Sequence, residues 1–383
     1  MDLALTREQE LIRASAREFC ERELAPHARE WDRTEQMDRR VVAKLAEIGF
    51  LGAVLPEQYG GMGLDTVSYC LVMEELGRAD SSVRGIVSVN LGLVGKTVMR
   101  WGTEEQKQEL LPGVAAGEAL GCYALTEPEA GSDAASLRTS AERDGGDWVI
   151  SGSKIFITLG SWASFALVFA RTGGEGARGI TCFVVPTDSP GFEARKIDGK
   201  LGLRAQDTAE LFLDGVRVPD SARLGNEGEG FKVAMSALDN GRISLAAGCV
   251  GICQGCLEAC VEYASERRQF GRPIGAFQLV QELIAEIGVD TDAARLLAWR
   301  AAALADAGAG HTLESSVAKY FCSEAAVRAA NAAVQVHGGY GYVDEYPVGK
   351  YLRDARVTTL YEGTSQIQKL IIGRALTGES AFA

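Results

Sequence analysis

Residues 165–169 read FALVF and residues 180–185 read ITCFVV, and these two runs decide the fold class of this 383-residue chain. Both are short and rich in β-branched and aromatic side chains, which is typical of strands. Shorter runs of the same kind stand at 148–150 and 211–213, separated from the others by glycine, proline and aspartate. We therefore expect an antiparallel sheet or barrel in this part of the chain.

Helical patterns stand on both sides of the β region. Two capping boxes, TREQ at residues 6–9 and TEEQ at 103–106, each indicate the start of a helix. We expect the first amphipathic stretch to end near Pro26 and the second helix to stop before Pro112, because proline interrupts helices. An alanine-rich helical pattern returns in the C-terminal part, for example at 317–336.

The predicted order is thus α, then β, then α, and it lacks the alternation of strands and helices that marks a Rossmann fold. It places the chain in the α+β class. The expected domains are an N-terminal helical domain at 1–118, a middle β-barrel or sandwich domain at 119–225, and a C-terminal helical domain at 226–383.

Composition excludes several kinds of function. The chain carries 52 acidic and 39 basic residues, a formal net charge of −13 at pH 7. Nucleic-acid binding and docking on an anionic membrane both favour a basic surface, so neither partner is expected. No apolar run reaches the roughly 18 residues of a membrane span. The N-terminus shows no signal-peptide pattern, and nine cysteines without a disulfide spacing favour the cytoplasm.

Four of the cysteines, Cys249, Cys253, Cys256 and Cys260, follow the spacing of one helical face. A metal or iron–sulfur site is the specific interpretation. A single helical stripe cannot surround an ion, however, and free cysteine packs as a small apolar residue. We expect packing, and no metal site.

Residues 90–97, NLGLVGKT, resemble a phosphate-binding loop. The loop needs glycine where Asn90 stands and should follow a strand, whereas this run continues a helical pattern. We therefore expect Lys96 and Thr97 on an ordinary helix surface.

Several segments in order carry a resemblance to one family. They are YALTEP at 123–128 with GSD at 131–133, RRQFGRP at 267–273 with FQ at 277–278, QVHGGYGY at 335–342, and RDAR at 353–356 followed by YEGTSQ at 361–366. Over nearly the whole chain the sequence resembles the acyl-CoA dehydrogenases. The resemblance implies a C-terminal four-helix bundle, FAD, usually a homotetramer, and desaturation of an acyl thioester between its α and β carbons.

This reaction removes an α-proton and a β-hydride, and the hydride needs a cofactor as acceptor because no side chain serves. By resemblance, Glu362 is the base and FAD the acceptor. A buried glutamate facing an apolar substrate should have a raised pKa, which suits a weakly acidic C–H. Some family members carry the base just before a family arginine, which is Arg242 here. Gly241 occupies that position, so Glu362 is favoured, and Arg242 should support its charge.

The resemblance also implies the cofactor residues. Thr126 and Thr158 should meet the flavin ring and Phe156 should pack on it, although Leu159 stands where the family usually has asparagine. Arg267 should neutralise the pyrophosphate, and in the family it reaches the cofactor from a neighbouring subunit together with the segment at 335–339. The full predicted set is Tyr123, Leu125, Thr126, Ser132, Phe156, Ile157, Thr158, Arg267, Gln269, Phe270, Gln278, Gln335, Gly338, Gly339, Thr364 and Gln366.

For the substrate, Ser132 and Asp239 match family residues of the thioester channel. Arg84 and Ser88 match positions that hold the distal carboxylate in glutaryl-CoA dehydrogenases, and their i, i+4 spacing puts both on one helix face. Similar dehydrogenases act on acyl groups tethered to a carrier protein, and related folds act as flavin oxidases or monooxygenases. The expected partners are an acyl-CoA or acyl carrier protein, an electron-transfer flavoprotein as electron acceptor, and further copies of the chain in a homotetramer or homodimer.

Overall fold

The structure is a computed structural model that describes residues 4–381. Residues 1–3, part of the N-terminus for which no signal peptide is expected, and residues 382–383 lie outside this range. The described chain has a helical N-terminal part, a middle sheet and a helical C-terminal part, in the predicted order.

The N-terminal part consists of seven helices among the described residues. They are α1 (Arg7–Phe19), α2 (Ala25–Thr34), α3 (Val41–Glu47), α4 (Thr66–Ala79), α5 (Ser81–Val87), α6 (Lys96–Trp101) and α7 (Glu104–Ala116). Two π-helical segments, Cys20–Leu24 and Ser88–Gly95, join α1 to α2 and α5 to α6 without a break. Both predicted capping boxes form, at the start of α1 and at the start of α7.

The two prolines do not act as predicted. Pro26 lies in the first turn of α2, and the helical stretch that begins with α1 continues past it to Thr34. Pro112 lies inside α7, which continues to Ala116. The neighbouring Leu111 and Val114 are fully buried, and their packing outweighs the single hydrogen bond that proline removes.

The middle part is one eight-stranded sheet with the order β6-β7-β3-β2-β4-β5-β8, in which β1 pairs with β4. The strands are β1 (Gly121–Ala124), β2 (Ser140–Asp144), β3 (Asp147–Thr158), β4 (Phe165–Arg171), β5 (Ile180–Pro186), β6 (Phe192–Lys196), β7 (Thr208–Pro219) and β8 (Arg223–Leu224). All four runs predicted as strands are strands. They pair antiparallel, β3 with β7 and β4 with β5, whereas β1 and β2 each pair in parallel with β4, which the sequence did not indicate.

The C-terminal part is a helical bundle. Its helices are α8 (Gly230–Glu266), α9 (Gln278–Asp306), α10 (Thr312–His337), α11 (Val348–Thr358) and α12 (Ser365–Thr377), and a short hairpin of β9 (Arg268–Gln269) and β10 (Arg272–Pro273) follows α8. Helices α8, α9 and α10 pack against one another, α11 and α12 pack on α10, and α4 packs on α8. The predicted domain bounds fall between elements and stay a prediction.

Helix α8 carries the four-cysteine stripe, and all four side chains are buried in the bundle as expected for packing. Burial raises the pKa of Cys249 to about 11 and that of Cys260 to about 12, so the thiols stay protonated. By length and hydropathy α8 could cross a membrane, but 78% of its most apolar window is buried inside the protein, as in the core helix of a folded domain.

The segment resembling a phosphate loop is helical, but it is not on the surface. Thr97 is buried and donates its hydroxyl proton to the Leu93 carbonyl one turn earlier. Lys96 is half-buried, with its ammonium 5.3 Å from the centre of the Tyr69 ring. The surface placement was wrong because α8 packs against this helix and against the π-helical segment before it.

Candidate active site

A cavity of about 130 Å³ lies where α5, the end of β1, the end of β3 and the turn between α11 and α12 meet. Many of the predicted site residues line it, although they come from distant parts of the chain. These are Arg84, Ser88, Tyr123, Leu125, Thr126, Phe156, Ile157, Thr158 and Glu362.

Glu362 lies in the turn between α11 and α12, with a left-handed backbone at φ 54°. Burial raises the pKa of its carboxyl group, and the cations Arg84, Lys319 and Arg242 act against this rise. Its buried Oε2 atom has no hydrogen-bond partner within residues 4–381, and its backbone N–H donates none there either. Glu362 therefore offers an uncommitted carboxylate oxygen and an uncommitted N–H in one cavity.

Gly241 lies directly beneath this carboxylate. A Cβ atom at position 241 would stand 2.5 Å from Oε2 of Glu362 and 2.7 Å from Cδ2 of Leu93, both closer than real contacts allow. The two positions that the resemblance offers for a base thus meet in space. Glycine at 241 leaves the room that the Glu362 side chain takes.

Arg84 is buried in the same cavity with only part of its donor capacity satisfied. Its Nη2 atom donates to the Tyr361 hydroxyl at 2.8 Å. Its Nη1 atom is buried and has no partner, and the side chain forms no ion pair with a carboxylate of the described residues. Leaving a buried donor unpaired is unfavourable, so this geometry suits an acceptor supplied by a ligand.

Ser88 lies one turn after Arg84 on the same lining. Its hydroxyl is 3.1 Å from that of Ser244, which in turn is 3.3 Å from the Tyr69 hydroxyl. This wall of the cavity is therefore polar. The sequence indicated Ser88 but gave no sign of Ser244 or Tyr69, because both come from other helices.

Arg242 is buried in α8 and donates from Nη1 to Asp239 at 2.7 Å. Asp239 also accepts from the Thr312 hydroxyl at 2.8 Å. The two predicted residues therefore form an ion pair with each other. Arg242 acts on Glu362 through its charge, and no hydrogen bond joins these two side chains in the described structure.

Several residues of the cavity surroundings were not predicted. The Gln206 amide donates to the Thr158 hydroxyl at 3.1 Å and keeps a buried, unpaired Oε1 atom. Lys319 and Gln368 donate to backbone carbonyls of the turn that carries Glu362. For Lys319, the sequence offered one signal, a charged residue within the alanine-rich run of α10.

The remaining predicted residues lie elsewhere. A wide groove of about 870 Å³ beside the end of α8 is lined by Arg267, Gln269, Gly338 and Gly339. Phe270, next to this groove, is 93% exposed. Thr364 caps α12 by accepting from the Ile367 N–H. The residues that are exposed and line neither cavity are Ser132, Gln278, Gln335 and Gln366.

Comparison with known proteins identifies the family. Residues 6–118, 122–216 and 228–377 match the N-terminal, middle and C-terminal domains of acyl-CoA dehydrogenase. The chain belongs to the acyl-CoA dehydrogenase family. The predicted resemblance and the three-domain fold are confirmed.

Similar proteins match over almost their full length. An acyl-CoA dehydrogenase of Bacillus subtilis (strain 168) is 44% identical over 375 residues, 98% of this chain and 99% of the relative. Butyryl-CoA dehydrogenase from Megasphaera elsdenii superposes with a TM-score of 0.96 at 39% identity, covering 98% of this chain and 100% of that one. Glutaryl-CoA dehydrogenase from Mycobacterium smegmatis in complex with FADH2 superposes with a TM-score of 0.95 at 37% identity, covering 99% and 97%.

Leu159 stands where the resemblance implies asparagine. Leu159 has a left-handed backbone at φ 65°, a conformation that asparagine adopts more readily than leucine. Its side chain is fully buried and its N–H donates to the Asp207 carbonyl at 3.0 Å. Burial of the leucine side chain offsets the cost of its left-handed backbone, and the turn after β3 is kept.

Proposed function

We propose that this chain desaturates an acyl thioester between its α and β carbons, with Glu362 as the base and FAD as the oxidant. The observation that carries the proposal is the Glu362 carboxylate, which is buried, unpaired at Oε2 and placed over Gly241 in a cavity. Desolvation and the raised pKa strengthen it as a base toward a weakly acidic C–H.

The residues at the cavity fit the flavin half of FAD. Phe156 is 65% exposed at the cavity, with a left-handed backbone at φ 59° that turns its large ring outward. Thr126 and Thr158 place hydroxyl groups on the same lining. An exposed aromatic ring beside hydroxyls suits a flat, polar ring system. When bound, FAD would supply the two-electron oxidant that the reaction needs.

The residues at the wide groove fit the phosphate and nucleotide part of FAD. Arg267 supplies a guanidinium, and Gly338 and Gly339 present backbone without side chains. This groove is separate from the cavity at Glu362 within one chain. We therefore propose that a second copy of the chain brings its groove to the first copy's cavity, in a homodimer or homotetramer.

Side chains and backbone groups of this chain would have separate roles in the reaction. Glu362 would accept the α-proton at its carboxylate, and the free N–H of Glu362 would donate to the thioester carbonyl, which makes that proton more acidic. Arg84, Arg242 and Lys319 hold positive charge around the base. By resemblance the electron acceptor is an electron-transfer flavoprotein, and the cytoplasm is the proposed location.

Replacing the base tests this proposal. Glu362→Gln should keep the yellow colour and the bound FAD but lose about 10²- to 10⁴-fold in turnover, the contribution typical of a general base. The measurements are the FAD absorbance of the purified protein and dehydrogenase turnover with one acyl-CoA. Turnover equal to that of the wild type would reject Glu362 as base. A folded protein that takes up no FAD would reject the flavoenzyme itself.

Arg84 favours a substrate with a polar or carboxylate-bearing acyl end. The unpaired Nη1 atom needs an acceptor, and Ser88 with Ser244 continues the polar wall. No protein carboxylate of residues 4–381 pairs with Arg84, which removes the simplest structural role for its charge. A glutaryl-CoA dehydrogenase is among the structures similar to this chain, which supports this choice.

A turnover series tests the substrate. With glutaryl-CoA, butyryl-CoA and isobutyryl-CoA as substrates, Arg84→Met should raise KM for glutaryl-CoA and spare butyryl-CoA. Losing one side of a buried charge pair typically costs about 2–5 kcal/mol. If the wild type ignores glutaryl-CoA, or if all three substrates suffer alike, Arg84 has a structural role instead.

A further inference from the structure

The turn that carries Glu362 is held in an unfavourable backbone conformation. Glu362 has φ 54° and Gly363 has φ 88°, two consecutive residues in the left-handed region. A glutamate adopts this conformation at an energetic cost, so the surrounding structure must hold it there. The groups that hold the turn therefore also place the base.

Two buried side chains bind the carbonyl groups of this turn. Lys319, on α10, donates from Nζ to the Gly363 carbonyl at 2.7 Å. Gln368, on α12, donates from Nε2 to the Glu362 and Gly363 carbonyls at 3.1 Å each. A Cβ atom at position 363 would lie 2.6 Å from Nε2 of Gln368, so glycine is needed for this approach.

Lys319 differs from Gln368 in carrying a charge without a carboxylate partner. The Lys319 side chain is fully buried and forms no ion pair within the described residues. Burial lowers the pKa of Lys319 to about 8, while Cys249, Glu362 and Glu324 oppose this and Arg242 adds to it. A buried ammonium without an ion-pair partner is costly, so its retention near Glu362 needs an explanation.

Several other titratable groups surround the Glu362 carboxyl. The cations are Arg84 on α5, Arg242 on α8 and Lys319 on α10, and each favours the ionised carboxylate. The remaining groups are Tyr69 on α4, Tyr123 on β1, Cys249 on α8 and Tyr361 in the turn, all with the pKa raised by burial and therefore uncharged near neutral pH. Arg84 donates to the Tyr361 side chain, whereas among these groups of the described structure Lys319 alone donates to the backbone of the turn.

We propose that Lys319 is a positioning residue with two effects: it holds the turn that carries Glu362, and its charge sets the pH range in which Glu362 acts as base. Gln368 holds the same turn without the second effect. This inference rests on Glu362 being the base, as proposed above.

Three variants separate charge from hydrogen bonding. Lys319→Met removes both, Lys319→Gln removes the charge but keeps an N–H donor, and Gln368→Leu removes only uncharged donors. Lys369→Met is the control, because Lys369 is an exposed lysine on α12. FAD absorbance and thermal unfolding of each holoprotein check that the variants are folded.

The measurement is the pH dependence of flavin reduction by one acyl-CoA in anaerobic single turnover. Removing a cation that favours the carboxylate raises the pKa of Glu362, so the acid limb should move to higher pH in both Lys319 variants. Gln368→Leu should leave the limb in place and lower the limiting rate on the order of ten- to a hundredfold, as a misplaced base would. The control should match the wild type in both respects.

Infrared difference spectroscopy gives a readout that does not depend on turnover. The band of the protonated Glu362 carboxyl is the one that disappears in Glu362→Gln, and its midpoint against pH reports the ionisation directly. We expect a higher midpoint in both Lys319 variants. A midpoint unchanged from the wild type overturns the proposal, and an equal shift in Gln368→Leu assigns the effect to turn geometry and overturns it too. Full turnover in Glu362→Gln would instead reject the proposed function, while the infrared midpoints would still report the effect of Lys319.

Discussion

The cavity at Glu362 and the groove at Arg267 are built in opposite ways. The cavity is small and is lined by polar side chains from several distant parts of the chain. Three of these side chains keep a buried atom without a hydrogen-bond partner in the described structure: Arg84, Gln206 and Glu362. The groove is large and open, and its charged residue Arg267 is exposed. One chain thus completes the part that holds the proposed base, whereas the predicted phosphate-binding part faces outward.

The difference between the two sites reflects how precisely each must place its groups. A base must lie within hydrogen-bond reach of the proton that it removes. The proposed base Glu362 is accordingly held by hydrogen bonds from Lys319 and Gln368 to its turn and has room beside Gly241. A pyrophosphate needs charge and exposed backbone donors, which a surface groove on a second copy can supply on assembly. The two sites should therefore respond differently to mutation.

Among changes that leave Glu362 itself in place, the largest expected effect comes from filling the space beside its carboxylate. Gly241→Ala places a methyl group 2.5 Å from Oε2 of Glu362 and should displace the carboxylate, which lowers kcat/KM by about 10²-fold. FAD content should stay near that of the wild type, because the groove is untouched. Steady-state kinetics and flavin absorbance measure the two quantities.

Gly288→Ala is the matched control for this variant. Gly288 also lies inside a long helix, α9, and a Cβ atom there meets nothing within 4 Å. This change should leave kcat/KM as it is. If Gly241→Ala behaves like Gly288→Ala, the carboxylate does not lie over residue 241 in the working enzyme, and the contrast between the two sites loses its basis.

A smaller effect should come from the groove. Arg267→Ala removes the charged partner of the proposed pyrophosphate and should weaken FAD binding about 10- to 100-fold, the value of a hydrogen bond to a charged group. Because the groove would serve a neighbouring copy, the assembly should loosen as well. FAD retention after gel filtration, with the elution volume, measures both. Equal retention and equal elution in variant and wild type would show that the groove holds no phosphate.

Local sequence signals predicted the elements well and the tertiary pairings less well. Both capping boxes form where Thr6 and Thr103 indicated, because a capping box is complete within four residues. The parallel pairing of β1 with β4 was missed, because it joins Gly121 to Phe165 and depends on the packing of the whole sheet. The prediction that the helix stops before Pro112 failed for a similar reason. Tertiary burial of the neighbouring residues keeps α7 intact.

The site residues show the same difference between local sequence signals and tertiary contacts. Motifs gave Glu362, Arg84 and Thr158, each of which lines the cavity. Gln206 and Lys319 were missed, because each contributes through a contact with a residue more than 40 positions away, and neither stands in a recognisable motif. The sequence showed only that Gly241, at the alternative position for the base, cannot itself act as one. That Glu362 lies against Gly241 became visible only in the structure.

Exchange of the substrate's α-protons tests Glu362 most directly, because exchange needs removal of the α-proton but no net oxidation. The holoprotein is incubated in D2O without oxygen or electron acceptor, with an excess of acyl-CoA, and mass spectrometry follows deuterium at the α carbon. The wild type should exchange these protons, and Glu362→Gln with the same FAD content should exchange them at least about 10²-fold more slowly. Equal exchange rates in the two proteins would contradict the assignment of Glu362 as the base.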